Sequence, residues 1–184
     1  MADSAQTTLK ADNGGADGGM LRLQDVNKAS IVALLDRFEM LLQIVKPTDD
    51  IPGSYWGDEE AGLINNRLLA RTDTPLHSIL HETCHYICMD SDRRRGVHTN
   101  AGGDYDEENA VCYLQILLSE FISTPTETVS RKQMFADMDS WGYTFRLGSA
   151  QSWFEQDADD ARDTLFAWGL IDKLQQPTFQ LRGK

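Results

Sequence analysis

The sequence is short of histidine, of paired cysteine and of positive charge, and each shortage excludes something. Three cysteines, Cys84, Cys88 and Cys112, are an odd number without the spacing of a small disulfide scaffold, so reduced thiols in a cytoplasmic protein are expected. Seventeen Lys and Arg stand against 29 Asp and Glu, a formal net charge of −12. A field of that sign repels phosphate, so neither nucleic acid nor an anionic membrane is expected as a partner. No apolar run approaches the roughly 18 residues of a membrane span, and the first residues contain no signal-peptide core. A soluble protein is expected, with its oligomeric state left open.

With 184 residues and 41% hydrophobic composition the chain suits one domain with a sizeable core. Residues 1–19 offer little to bury and read as a disordered tail, which leaves 20–184 as the single domain. Ile31, Leu34, Leu35, Phe38, Leu41, Leu42 and Val45 recur at helical steps, predicting a helix from about Asp25 that Pro47 stops. Around Asn65-Asn66 two short strands are expected, because Asn tolerates positive φ. Further helices are predicted over Pro75 to Met89, entered from an Asp73 or Thr74 cap, and over Asp106 to Ile122, Thr126 to Ser140 and Ser149 to Trp168. Ser91 to Gly103 reads as a polar connector. The fold class is α+β, mostly helical, with a small antiparallel sheet.

All four histidines, His77, His81, His85 and His98, fall within 22 residues. His81-Glu82-Thr83-Cys84-His85 is the H-E-x-x-H pattern: four-residue spacing puts both imidazoles on one helix face, able to share a tetrahedral zinc ion. Neutral imidazole is a good zinc ligand. The metal lowers the pKa of its water to about 7, and Glu82 is placed to act as the base that activates that water. His77 is read as a capping or core histidine, because one straight helix cannot wrap three successive turns around a single ion. Cys84 and Cys88 are read as small buried residues. Arg93-Arg94-Arg95 reads as a solvated run paired with Asp90 and Asp92, and Trp141, Trp153, Phe166 and Trp168 as core.

The run from Gly62 to Leu118 resembles the core of a zincin of the glutamate-ligand kind: a strand, a helix bearing His-Glu-x-x-His, a connector, and a second helix bearing E-x-x-A. The last element is Glu107-Glu108-Asn109-Ala110, leading to Leu117-Leu118, and it is similar to small bacterial metallopeptidases that act on regulatory proteins. The chain lacks the proline that often follows that Leu-Leu pair and has no DNA-binding domain beside it, so the regulatory role does not carry over. The resemblance implies a zincin-like domain, a zinc cofactor, a peptide or protein substrate, and an edge strand over Ala61 to Arg71 that holds the substrate by strand addition.

A catalytic zinc wants a third protein ligand from a separate element. Glu107 is expected to supply it. It shares the stripe of Ala110, Val111, Leu114, Leu117, Leu118 and Phe121, whereas Glu108 falls with Cys112, Gln115 and Ser119 on a more polar face. Glu108, Asp104 and His98 are the alternatives. The functional expectation is a zinc metallopeptidase-like hydrolase. Its competitors are a non-catalytic zincin-fold binding or regulatory protein with a structural zinc, and a helical interaction module without metal.

Overall fold

The computed structural model describes residues 19–183, so the tail expected over 1–19 lies, apart from Gly19, outside the described residues. In chain order the elements are α1 (Lys28–Asp36), β1 (Leu41–Ile44), β2 (Gly62–Ile64), β3 (Arg67–Ala70), α2 (Leu76–Cys88), α3 (Ser91–Arg94), α4 (Tyr105–Ser119), α5 (Arg131–Trp141), α6 (Ala150–Gln156) and α7 (Asp159–Ala167). The architecture is α+β.

The helix expected to reach Pro47 ends at Asp36. Glu39 takes a left-handed φ of 59°, and Leu41–Ile44 becomes a strand instead. A short apolar run fits either period, and here tertiary pairing decides. Leu41 N–H donates to the Asn66 carbonyl (2.9 Å), and Val45 N–H to that of Ala70 (2.8 Å). β1 runs parallel to β3, and β2 pairs with β3 antiparallel through Leu63↔Leu68, so the sheet is mixed, in the order β1-β3-β2, rather than purely antiparallel. The expected Asn-Asn turn joins β2 to β3, with Asn65 at φ 52°.

The segment expected to receive an extended substrate is already paired along Leu63. β3 is the central strand, Leu63 N–H donates to the Gly53 carbonyl (3.2 Å), and Thr99 N–H donates to the Leu63 carbonyl (3.0 Å). Gly62 is required there, since a Cβ would run into the Pro52 carbonyl oxygen.

The core gathers around α2 and α4, which pack on each other while α4 also meets α5 and α7. Both are buried on most of their circumference. Pro75, not Asp73 or Thr74, is the N-cap of α2, and the Thr74 hydroxyl instead accepts from Arg71 N–H (2.9 Å) within the preceding turn. The predicted helix from Ser149 to Trp168 is broken at Asp157 and Ala158 into α6 and α7. α5 begins later than expected, at Arg131, capped by Ser130. It ends in Gly142, whose φ of 103° terminates the helix and places Trp141 and Tyr143 on either side of the bend.

Candidate metal centre

α2 carries His81 and His85 one turn apart, and their Nε2 atoms lie 3.1 Å from each other. Across the helix pair, Glu108 on α4 brings Oε1 to 3.2 Å from His81 Nε2 and Oε2 to 3.5 Å from His85 Nε2. Ligands on a tetrahedral zinc with bonds near 2.0–2.1 Å are separated by about 3.3 Å. The observed spacings bracket that value, so the donor set fits such an ion, and one ligand atom from each residue lies within 4.8 Å of the others.

A buried amide orients the first histidine. Gln115, fully buried on α4, donates its Nε2–H to the His77 carbonyl (3.1 Å), which turns Oε1 towards His81 Nδ1 (3.1 Å). The amide oxygen can only accept, so when His81 is neutral, as a metal ligand must be, its proton sits on Nδ1 and the Nε2 lone pair faces the site. His85 Nδ1 is buried without a hydrogen-bond partner.

Charge follows from the same crowding. Burial opposes the charged form of His81, but the Tyr143 phenol oxygen and the Glu108 carboxylate outweigh it and hold the pKa well above the usual imidazole range. Burial and the neighbouring His81 push His85 down to about 4. Glu82, on the wall of the same cleft, is pushed up to about 8 by burial, with Glu108 and Glu60 adding to the rise and His81 opposing it. A divalent cation at the three donors would draw Glu82 back towards the ionised form.

The cleft over these residues has a volume of about 260 Å³. It is lined by His77, packed against Trp141 and Tyr143, by the Thr99–Gly103 segment, and by Tyr55 and Trp56. His77 is 1% exposed, with burial driving its pKa down to about 3, and its Nδ1 lies 3.4 Å from the Tyr143 hydroxyl. Burial also raises the Tyr143 pKa well above its usual value.

The third carboxylate differs from the expected one. Glu107 faces away from the histidines into a clamp of two guanidinium groups, with Arg93 at 2.5 and 2.9 Å and Arg182 at 3.0 Å. Asp104 caps α4 by accepting from Glu107 N–H (2.9 Å), and His98 is exposed, its ring nitrogen meeting the Thr99 hydroxyl (2.8 Å). The stripe argument presumed burial on one side only. Beyond its first turn, from Ala110 to Ser119, α4 is buried all round, so the polar residues Gln115 and Ser119 are also inside, and the polar face is the one turned to α2.

The arginine run is likewise three different residues. Arg93 ties Glu107 to the Ala101 carbonyl, and buried Arg94 donates to the carbonyls of Tyr86 and Met89 at the end of α2. The expected pairs with the neighbouring acids are also present: Arg93 reaches Asp90 (3.8 Å), and exposed Arg95 pairs with Asp92. The three cysteines are buried and unpaired, as expected. Of the aromatic residues expected in the core, Trp153 is there, Trp141 lines the cleft and Phe166 is exposed.

Sequence reasoning missed Gln115, Tyr143, Glu60 and the Tyr55-Trp56 pair. One signal was present: Gln115 lies seven residues after Glu108, two helical turns on and on the same face. Comparison with protein-family models, curated proteins and solved structures finds no match to this chain. The geometry defines an α+β protein whose two central helices bring together a His-His-Glu group able to hold a metal ion.

Proposed function

We propose that the chain is a zinc-dependent hydrolase of the zincin kind, most simply a metallopeptidase acting on a peptide or protein. The observation that carries this reading is the set of three donors at tetrahedral spacing with Glu82 on the wall of the same open cleft. A structural zinc site is closed by four protein ligands, whereas three ligands beside a cleft leave a position for water or substrate. His81, His85 and Glu108 would hold the ion, which supplies a water acidified to about pKa 7 and polarises a carbonyl oxygen.

The chain's own groups do the rest. Glu82 takes the proton of the attacking water and hands it to the departing amine. Gln115 keeps His81 in the ligating tautomer, and Tyr143, held protonated by burial, offers an O–H donor from the cleft wall. Three buried unpaired thiols suit a reducing compartment such as the cytoplasm. Among the described residues no helix is long and apolar enough to cross a membrane.

Glu82→Gln tests the role of the base. The variant is expected to retain zinc, by elemental analysis, and its fold, by circular dichroism, while hydrolysis of a casein or mixed-peptide substrate falls by about 10²–10⁴-fold. Undiminished turnover would remove Glu82 from the mechanism.

A further inference from the structure

The two edges of the sheet are finished differently. On the β2 side, Gly53 and residues 97–99 bond to the strand, and the chain runs on from there into the cleft lining. On the opposite side lies β1. Leu41 N–H and Val45 N–H both donate towards β3, and strand alternation turns the N–H and C=O groups of Leu42 and Ile44 the other way. Among the described residues these four groups meet no hydrogen-bond partner. The opening is bounded at both ends: Met40 N–H donates to the Leu35 carbonyl (3.1 Å), and the Lys46 carbonyl accepts from Asp49 N–H (3.1 Å).

Proteins usually blunt such an edge with a charge, a proline or a bulge inside the strand. Leu41–Ile44 has none of these, since its register with β3 is continuous and Lys46 and Pro47 come only after it. Instead Leu41 is 55% exposed and Ile44 43%.

What fits this edge is the edge itself. Two copies of β1 laid antiparallel, with Leu42 opposite the second copy's Ile44, exchange four backbone hydrogen bonds. No other register satisfies both open residues, because a shift of two positions sets one of them against Met40 or Lys46, whose own groups are engaged. The same register matches the side chains. Exposed Leu41 meets the second copy's Val45, Ile44 meets its Leu42, and exposed Gln43 meets its own counterpart on the two-fold axis. A patch that complements itself in this way is what a two-fold dimer requires.

We infer that β1 is a self-association surface, through which two copies of this chain join their sheets edge to edge, three strands from each. The clefts lie at the far edges and stay open. An interface this small gives a weak dimer, with a dissociation constant on the order of 10⁻⁵ M. Each copy carries a net charge of −12, so added salt should strengthen the association by screening the repulsion between them.

Sedimentation equilibrium of the full chain from about 1 to 300 µM should show monomer giving way to dimer. Ile44→Pro, which removes an outward N–H and no bond to β3, should remain monomeric at the highest concentration. Ile44→Lys should do the same by setting a charge against the second copy's Leu42, and it serves if the proline variant fails to fold. Gln43→Cys reads the register. Cα atoms across a non-hydrogen-bonded antiparallel pair are about 4.5 Å apart, within disulfide reach, and the chain's own three thiols are buried. With oxidised glutathione this variant should run as a covalent dimer on a non-reducing gel, and Leu41→Cys should not. A wild type that stays monomeric throughout overturns the inference, as does a dimer that survives both Ile44 substitutions or that cross-links as readily through Leu41→Cys. None of these readouts uses zinc or turnover, so the hydrolase reading stands or falls separately.

Discussion

Glu107 and Glu108 are neighbours on one helix and lie in opposite kinds of place. On the Glu107 side, two arginines from distant parts of the chain close on a carboxylate that is 4% exposed, and the charge is neutralised by protein alone. On the Glu108 side the carboxylate meets two imidazoles that crowd to 3.1 Å, with a buried amide orienting one of them. One region is electrostatically complete and serves stability. The other gathers two imidazoles and a carboxylate closely enough to hold a metal ion.

The sharpest way to break this contrast is to remove each carboxylate in turn. Glu108→Ala should lower zinc affinity by at least about 100-fold, more than the usual effect of losing a residue that only supports a ligand, while the metal-free protein melts within a few degrees of the wild type. Competition with a chromogenic chelator gives the first quantity and thermal denaturation the second. Glu107→Ala should show the opposite pattern, with zinc affinity nearly unchanged. The arginines it leaves are about one-third exposed, so the cost is discounted to about 2 kcal/mol, or a melting temperature lower by about 4–8 °C. If Glu107→Ala lost zinc with no loss of stability, the two roles would have to be exchanged.

Gln115→Leu sharpens the same comparison. Without the amide oxygen His81 is no longer held with its proton on Nδ1, and zinc affinity should fall by about tenfold, measured in the same chelator assay. Gln115→Glu, which keeps the accepting oxygen, should recover part of the loss.

The smallest expected effect is on the pH dependence of the metal-free protein. Glu82 has a folded pKa of about 8 against 4.5, and His81 is also raised, so between about pH 6.5 and 8 the folded state holds more protons than the unfolded one and stability falls as pH rises. His77 at about 3 and His85 at about 4 act in the other direction, adding stability as pH rises towards 6.5. Melting temperature should therefore decline modestly from about pH 6.5 to 8, and zinc should flatten the decline. A rise over that window would contradict a protonated Glu82 and a charged His81 in the metal-free fold.

The same contrast explains what the sequence could convey. His81, Glu82 and His85 were legible because helical spacing alone puts two imidazoles on one face, and the strands around Asn65-Asn66 were legible because the turn residues declare themselves. The third carboxylate was not, because the stripe rule assumes a helix with a wet side and α4 has none beyond its first turn: Cys112, Gln115 and Ser119 are as buried as Leu114 and Leu117. Leu41–Ile44 fits helix and strand alike, and only parallel pairing with β3 decides. Arg182, which completes the clamp on Glu107, is 75 residues away in sequence, and no local pattern announces such a pair.

The central claim is that His81, His85 and Glu108 hold one metal ion. Elemental analysis of the untagged full-length chain, expressed with zinc and dialysed against metal-free buffer, tests it directly. The expectation is about one zinc per chain in the wild type and in Glu107→Ala, and near none in Glu108→Ala. A wild type without stoichiometric metal, or a Glu108→Ala variant that keeps its full complement, would contradict the account.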